Sequence, residues 1–146
     1  MPLIKILSPD KNIFVGIWAI TEDLTALEKQ ANASMLLETE KIYHPIKKKE
    51  FLASRLVLDA ICIQQTITDT NIHKTLDGKP YFPESEWHFS ISHTEKYAVC
   101  AIHSQKPVGI DTEKIQSKFN VISQKFLTKA ELSYCNLDTE KIALRW

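Results

Sequence analysis

The spacing of apolar and polar positions predicts two strands and then two helices in the first part of the chain. The strands fall at 3–7 and 13–20, and the second is rich in β-branched and aromatic residues, which favour strands. Apolar residues at helical spacing predict a helix over 22–41. Pro45 interrupts the chain there, and a second helix is predicted over 47–65.

The second part of the chain is predicted to be mainly extended. A loop-like stretch over 71–86 precedes three strands at 88–92, 97–102 and 108–113, and a helix follows at 118–126. Thr128-Lys129-Ala130-Glu131 has the pattern of a capping box, which predicts the start of another helix. In the first of these strands apolar and polar side chains alternate strictly, so its serines are predicted on the face opposite to its apolar residues.

Composition limits the class of protein. The 146 residues carry 18 basic and 18 acidic side chains, and 44% are hydrophobic, which excludes disorder and disfavours a globally basic nucleic-acid binder. The length allows one domain, or two small lobes around one core. No stretch is long and apolar enough for a membrane span, and the start lacks the features of a signal peptide. The expected location is therefore the cytoplasm.

Cys62, Cys100 and Cys135 are widely spaced, each among apolar neighbours. This pattern predicts buried free thiols in a reducing compartment. Without a close pair of cysteines, a zinc site is disfavoured.

The segment Asp111-Thr112-Glu113 carries the most informative local chemistry. On a strand, residues i and i+2 share a face, which would place two carboxylates about 7 Å apart at Cα. Like charges at that range repel unless a cation lies between them, and Mg²⁺ binds one or two carboxylates together with phosphate oxygens. Gly109 on the same face would let a ligand approach the backbone. The alternative is a solvated edge strand with a chance Asp-x-Glu.

Two other segments carry groups that suit phosphate. Ser92 and His93 could donate hydrogen bonds to a phosphate, although a purely structural strand end is the alternative. A Ser-His nucleophile pair is disfavoured, because adjacent residues rarely present the two groups to one another. Lys79, with its backbone stiffened by Pro80, could direct a cation at a phosphate, but a plain turn fits equally well.

Taken in order, these motifs resemble the 4′-phosphopantetheinyl transferase superfamily, in its larger pseudo-dimeric group. The resemblance runs from about residue 35 to the end of the chain. It is carried by a Lys/Arg-rich helix and four spaced motifs: Gly78-Lys79-Pro80-Tyr81, Ser90-Ile91-Ser92-His93, Val108-Gly109-Ile110-Asp111-Thr112-Glu113 and Phe126-Leu127-Thr128-Lys129-Ala130-Glu131.

The resemblance implies an α+β fold of two similar lobes that hold coenzyme A and Mg²⁺ between them. Residues 1–106 would form the first, coenzyme A-binding lobe, and residues 107–146 the beginning of the second. The implied reaction moves the phosphopantetheine arm of coenzyme A onto a serine of an acyl or peptidyl carrier protein. Such a reaction needs charge neutralisation and in-line positioning more than a protein nucleophile.

Site residues follow from the matching positions. Asp111 and Glu113 match the metal-binding and catalytic Asp-x-Glu, and a carboxylate or water on the metal would take the serine proton. The other matches are predicted contacts to coenzyme A: Lys79, Pro80, Ser92 and His93, together with the basic residues Lys41, Lys48 and Arg55 near the 3′-phosphate.

The chain departs from the family at Trp146, where the sequence stops. In the family a corresponding Trp is soon followed by a Lys-Glu pair that completes the metal site. The resemblance therefore predicts a chain truncated within its second lobe, with self-association or local disorder near the C-terminus.

The sequence is consistent with three functions. The first is the transferase, or a truncated derivative. The second keeps the fold as a catalytically impaired coenzyme A- or nucleotide-binding module. The third is a metal-independent interaction domain in which Asp111 and Glu113 are solvated surface. No partner among nucleic acids or membranes is expected.

Overall fold

The computed structural model describes residues 3–144, with only the backbone described for residues 3 and 4. The chain forms two compact units, one ending at Thr112 and the other beginning at Glu113. The first unit combines a four-stranded antiparallel sheet, a two-stranded hairpin and three helices, so the predicted α+β class is confirmed. The assignment of lobes to 1–106 and 107–146 stays a prediction.

The elements of the first unit follow in chain order. They are β1 (Leu3–Asp10), β2 (Ile13–Ala19), α1 (Leu24–Glu28), α2 (Ala33–Thr39), α3 (Pro45–Gln64), β3 (His73–Lys74), β4 (Pro80–Tyr81), β5 (His88–His93) and β6 (Tyr97–His103). The main sheet has the order β1-β2-β6-β5, and β3 pairs with β4. Both strands predicted near the start and the first two predicted after the loop are thereby confirmed.

The core of this unit lies between α3 and one face of the main sheet. Leu52, Val57 and Ile61 are completely buried, and Phe89 of β5 contributes from the sheet. At Gly16 in β2 the helix and sheet approach so closely that a Cβ would lie 2.6 Å from Val57 Cγ2. Glycine is therefore required here by packing rather than by backbone conformation.

The helix predicted over 22–41 is wrong, because the structure divides it into α1 and α2. The second of these helices begins after Asn32, whose side chain accepts a hydrogen bond from the Met35 N–H at 3.0 Å and so caps the N-terminus of α2. The break predicted at Pro45 is confirmed, because α2 ends at Thr39 and His44 is extended, with φ −82° and ψ 121°. Pro45 itself is the first residue of α3, where its missing N–H costs no hydrogen bond.

The strand predicted over 108–113 is also wrong, because this segment forms no backbone ladder with any strand that the structure describes. Two of its backbone N–H groups donate to serine side chains of β5 instead. The Ile110 N–H donates to Ser90 Oγ and the Thr112 N–H to Ser92 Oγ, each at 3.2 Å. The predicted alternation survives: Gly109, Asp111 and Glu113 are exposed, whereas the intervening side chains are half-buried. The segment is attached to β5 through these two serine hydroxyls.

The second unit is a small helical cluster. Its helices are α4 (Lys118–Ile122), a short 3₁₀ helix (Ser123–Lys125), α5 (Lys129–Cys135) and α6 (Thr139–Ala143). Phe119, Cys135 and Ile142 are fully buried at its centre. The capping box predicted at Thr128 is present: the Thr128 N–H donates to Glu131 Oε2 at 2.9 Å, and the Glu131 N–H donates to Thr128 Oγ1 at 3.3 Å. Trp146 lies outside the described residues.

All three cysteines are buried free thiols, as predicted. Burial, and secondarily the charge of Asp59, raises the pKa of Cys62 to about 12, and burial also raises the pKa of Cys100. Because the thiolate is the reactive form, we expect no fast-reacting thiol in the native chain at pH 8 and three after unfolding in guanidinium. Ellman's reagent measures both counts, and one fast native thiol would contradict this.

Candidate functional site

The end of β5 brings two of the predicted site residues into direct contact. Ser92 Oγ donates to Asp111 Oδ1 at 2.6 Å and also accepts from the Thr112 N–H. Its hydroxyl thus holds both the backbone and a carboxylate of residues 108–113, which we call the acidic segment. The predicted phosphate contact and the predicted metal ligand are therefore adjacent.

The Asp111 carboxylate suits a hard cation. It is exposed, and one of its oxygens accepts the hydrogen bond from Ser92. Carboxylate oxygens are the ligands that Mg²⁺ prefers, and the ion usually keeps several waters. Within residues 3–144, no three side chains of His, Cys, Asp and Glu converge as a metal cage.

Glu113 begins the second unit. Its Oε1 lies 3.7 Å from Lys118 Nζ, and both side chains are partly exposed. An exposed pair of this kind contributes little stability, so the Glu113 carboxylate can exchange the lysine for another cation at small cost. Its role as a metal ligand stays a prediction.

His93 has a contact that the sequence did not predict. Its Nδ1 lies 3.3 Å from Oε2 of Glu50 in α3, and Lys47 Nζ lies 2.6 Å from the same oxygen. Glu50 is almost completely buried, although it lies among the lysines that begin α3. The i,i+3 spacing of Lys47 and Glu50 is a visible signal for their ion pair. The pairing with β5 has no local signal.

The remaining predicted contacts are spread over three places in the first unit. Lys41 is exposed in the turn before α3, and Lys48 is half-buried in the first turns of that helix. Lys79 is the last residue of the loop that connects β3 and β4, and Pro80 begins β4 and pairs with Lys74. There Gly78 has a φ of 82°, a left-handed conformation that favours glycine, and the Lys79 N–H donates to Thr75 Oγ1 at 3.0 Å.

Arg55 lies in the interior rather than on the surface. It is 3% exposed, its Nη2 lies 3.3 Å from Glu38 Oε2, and its guanidinium stacks over Phe51 at 5.0 Å. Its Nε and Nη1 have no hydrogen-bond partner among the described residues. Arg55 lines a cavity of about 380 Å³ that Glu38 and Asp59 also line. Its predicted contact with the 3′-phosphate would have to be made in this cavity.

Comparisons with known proteins identify the class. Residues 41–103 match the family model of the 4′-phosphopantetheinyl transferase N-terminal domain. This range contains the basic helix, the hairpin lysine and the Ser-His strand end. The predicted relationship to the 4′-phosphopantetheinyl transferase superfamily is confirmed for this part of the chain.

Individual relatives agree with that class. A 4′-phosphopantetheinyl transferase of Bacillus subtilis is 44% identical over 57 residues, which are 38% of this chain and 25% of the relative. The 4′-phosphopantetheinyl transferase Sfp of Bacillus subtilis (strain 168) is 34% identical over 88 residues, 58% of this chain and 39% of the relative. The chain thus spans well under half the length of these curated relatives.

A solved structure supports the fold alone. A holo-(acyl-carrier-protein) synthase from Bacillus anthracis, in complex with CoA (3′,5′-ADP), superposes with a TM-score of 0.51 at 19% identity. The superposition covers 65% of this chain and 96% of that one. In the part of the chain that the structure describes, no helix has both the length and the apolar character to cross a bilayer.

Proposed function

We propose that this chain takes part in transferring the 4′-phosphopantetheine arm of coenzyme A to a serine of an acyl or peptidyl carrier protein. The observation that carries the proposal is the 2.6 Å hydrogen bond from Ser92 to Asp111. It joins the strand end proposed for coenzyme A to the carboxylate proposed for the metal. The relatives' names and the family match over 41–103 support the same reaction.

In the proposed reaction, the chain orients the phosphates of coenzyme A and accepts a proton. The carrier serine oxygen forms a bond to the phosphorus of the pantetheine arm while the bond to 3′,5′-ADP breaks, and the serine proton must be taken up. Lys79, Ser92 and His93 are proposed to orient the phosphates, and the predicted contacts of Lys41, Lys48, Arg55 and Pro80 belong to the same proposal. A carboxylate of Asp111 or Glu113 is proposed to accept the proton.

Mg²⁺ is proposed to be held by Asp111 and Glu113. When bound, the ion supplies positive charge that neutralises the diphosphate. The exposed carboxylate of Asp111 fits that role as described above. A cytoplasmic location is part of the same proposal, as the usual place of such substrates.

Coenzyme A with Mg²⁺ is expected to raise the melting temperature of the chain. At a ligand concentration of one hundred times Kd the stabilisation is about 2.7 kcal/mol, which corresponds to about 5–10 °C. Differential scanning fluorimetry measures the shift, with adenosine as a control that lacks phosphate. No shift at millimolar coenzyme A and Mg²⁺ would contradict the proposal.

A transfer assay separates the transferase from the binding-module alternative. Apo-acyl carrier protein gains the mass of phosphopantetheine when coenzyme A, Mg²⁺ and the active chain are present. A thermal shift without product would favour the catalytically impaired module.

A further inference from the structure

Glu50 is a buried carboxylate that contacts a lysine and a histidine. Its side chain is 4% exposed, and its Oε2 contacts both Lys47 Nζ at 2.6 Å and His93 Nδ1 at 3.3 Å. Burying a carboxylate is costly unless it is paired and hydrogen-bonded. Lys47 alone supplies one partner, with a side chain that is 62% exposed. The second partner comes from the end of β5.

The contact with Glu50 favours one position for the proton of His93. Nδ1 is the ring nitrogen that lies 3.3 Å from Glu50 Oε2, and an ionised carboxylate, which only accepts hydrogen bonds, favours a proton on that nitrogen. The Nε2 of the same ring then faces away from Glu50, and the His93 side chain is 38% exposed. The charged imidazolium donates from both nitrogens, so it can hold Glu50 through Nδ1 and an anion through Nε2.

We propose that Glu50 is a positioning residue, which fixes the orientation and the Nδ1–H tautomer of His93 so that Nε2 is directed to a phosphate of the ligand. The phosphate part of this inference rests on the proposed function.

His103 supplies an internal reference of opposite tautomer. Its Nδ1 accepts from the Gln105 N–H at 3.0 Å and the Lys106 N–H at 3.1 Å. A neutral His103 must therefore carry its proton on Nε2. His93 and His103, on the neighbouring strands β5 and β6, are thus expected to be opposite neutral tautomers.

Two-dimensional ¹⁵N NMR of the imidazoles tests the positioning directly, in the ligand-free chain at a pH where the rings are neutral. We expect Nδ1–H for His93 and Nε2–H for His103, with the His93 signals assigned by their loss in His93→Gln. In Glu50→Met, His93 is expected to change to the Nε2–H form while His103 keeps its own. A native His93 in the Nε2–H form, or one unchanged in Glu50→Met, would overturn the inference.

Lys47→Met is the matched control, because it removes the other partner of Glu50 and leaves His93 in contact. Its His93 signals are expected to match the native ones. Glu50→Gln keeps an oxygen acceptor at the same place and is expected to retain the Nδ1–H form. Thermal melts of all variants establish that each is folded. If Glu50→Met does not fold, the native chain and Glu50→Gln still test whether His93 has the Nδ1–H form.

Calorimetric titration with coenzyme A and Mg²⁺ tests the link to phosphate. We expect Kd to rise about 10-fold in Glu50→Met and to stay within about two-fold of native in Lys47→Met and Glu50→Gln. Unchanged affinity in a Glu50→Met variant whose tautomer has changed would overturn the link. Absence of binding by the unsubstituted chain would instead overturn the proposed function, while the NMR result still decides the positioning of His93.

Discussion

Asp111→Asn is expected to lower the rate of phosphopantetheine transfer by about 100-fold or more and to leave the fold intact. The Asp111 side chain is exposed, and its hydrogen bond comes from Ser92 Oγ, which an amide oxygen can also accept. The substitution therefore removes the charge proposed to bind Mg²⁺ and keeps the shape. Stability should change by no more than about 0.5 kcal/mol.

The measurement is the initial rate of carrier-protein modification, together with the Mg²⁺-dependent part of the thermal shift by coenzyme A. Ser90→Ala is the matched control, because it removes a hydroxyl that holds the same segment without touching the carboxylate. Its rate is expected within about two-fold of native. An equal loss in Ser90→Ala would mean that loosening the segment, rather than losing the carboxylate, stops the reaction. Full activity in Asp111→Asn would refute the metal assignment and favour the reading of the acidic pair as solvated surface.

Gly16→Ala is expected to destabilise the first unit by about 1–3 kcal/mol. The added Cβ would lie 2.6 Å from Val57 Cγ2 and 3.0 Å from Ile61 Cδ1, and both side chains are completely buried. Neither can move without disturbing the closely packed interior. Either α3 separates from β2 or a side chain leaves its preferred rotamer.

Urea unfolding of the native and Gly16→Ala chains measures this difference at constant m-value. Gly109→Ala is the control, because nothing lies within 4 Å of a Cβ built there. Its free energy of unfolding is expected to be unchanged within about 0.5 kcal/mol. A Gly16→Ala chain as stable as the native one would show that α3 packs less closely on β2 than the structure indicates.

The elements that the sequence predicts well are those determined by local pattern. The alternation over 88–92 identifies β5 and assigns Phe89 to the core, and the Thr128 capping box identifies the start of α5. The first predicted helix is divided where the Asn32 side chain accepts a hydrogen bond from the Met35 N–H and caps α2. Helical spacing continues across that position, so periodicity alone does not reveal the break.

The candidate site was predicted as a set of segments, but its contacts depend on pairings between distant parts of the chain. The motifs of Ser92 and Asp111 indicate both residues, but their hydrogen bond requires the segment after β6 to return to β5. Glu50 was missed because a charged residue among lysines is expected at the surface. It is buried in α3 and contacts His93 at the end of β5, which only the folded chain brings near.

The two serines of β5 have a consequence for how this region can change over evolutionary time. Backbone ladders tolerate most substitutions, whereas the acidic segment depends on two hydroxyl groups, each replaceable by a single codon change. Mutation can therefore release or reposition the acidic segment while β5 keeps its pairing with β6. Selection could in this way adjust the position of the acidic segment separately from the sheet that supports it.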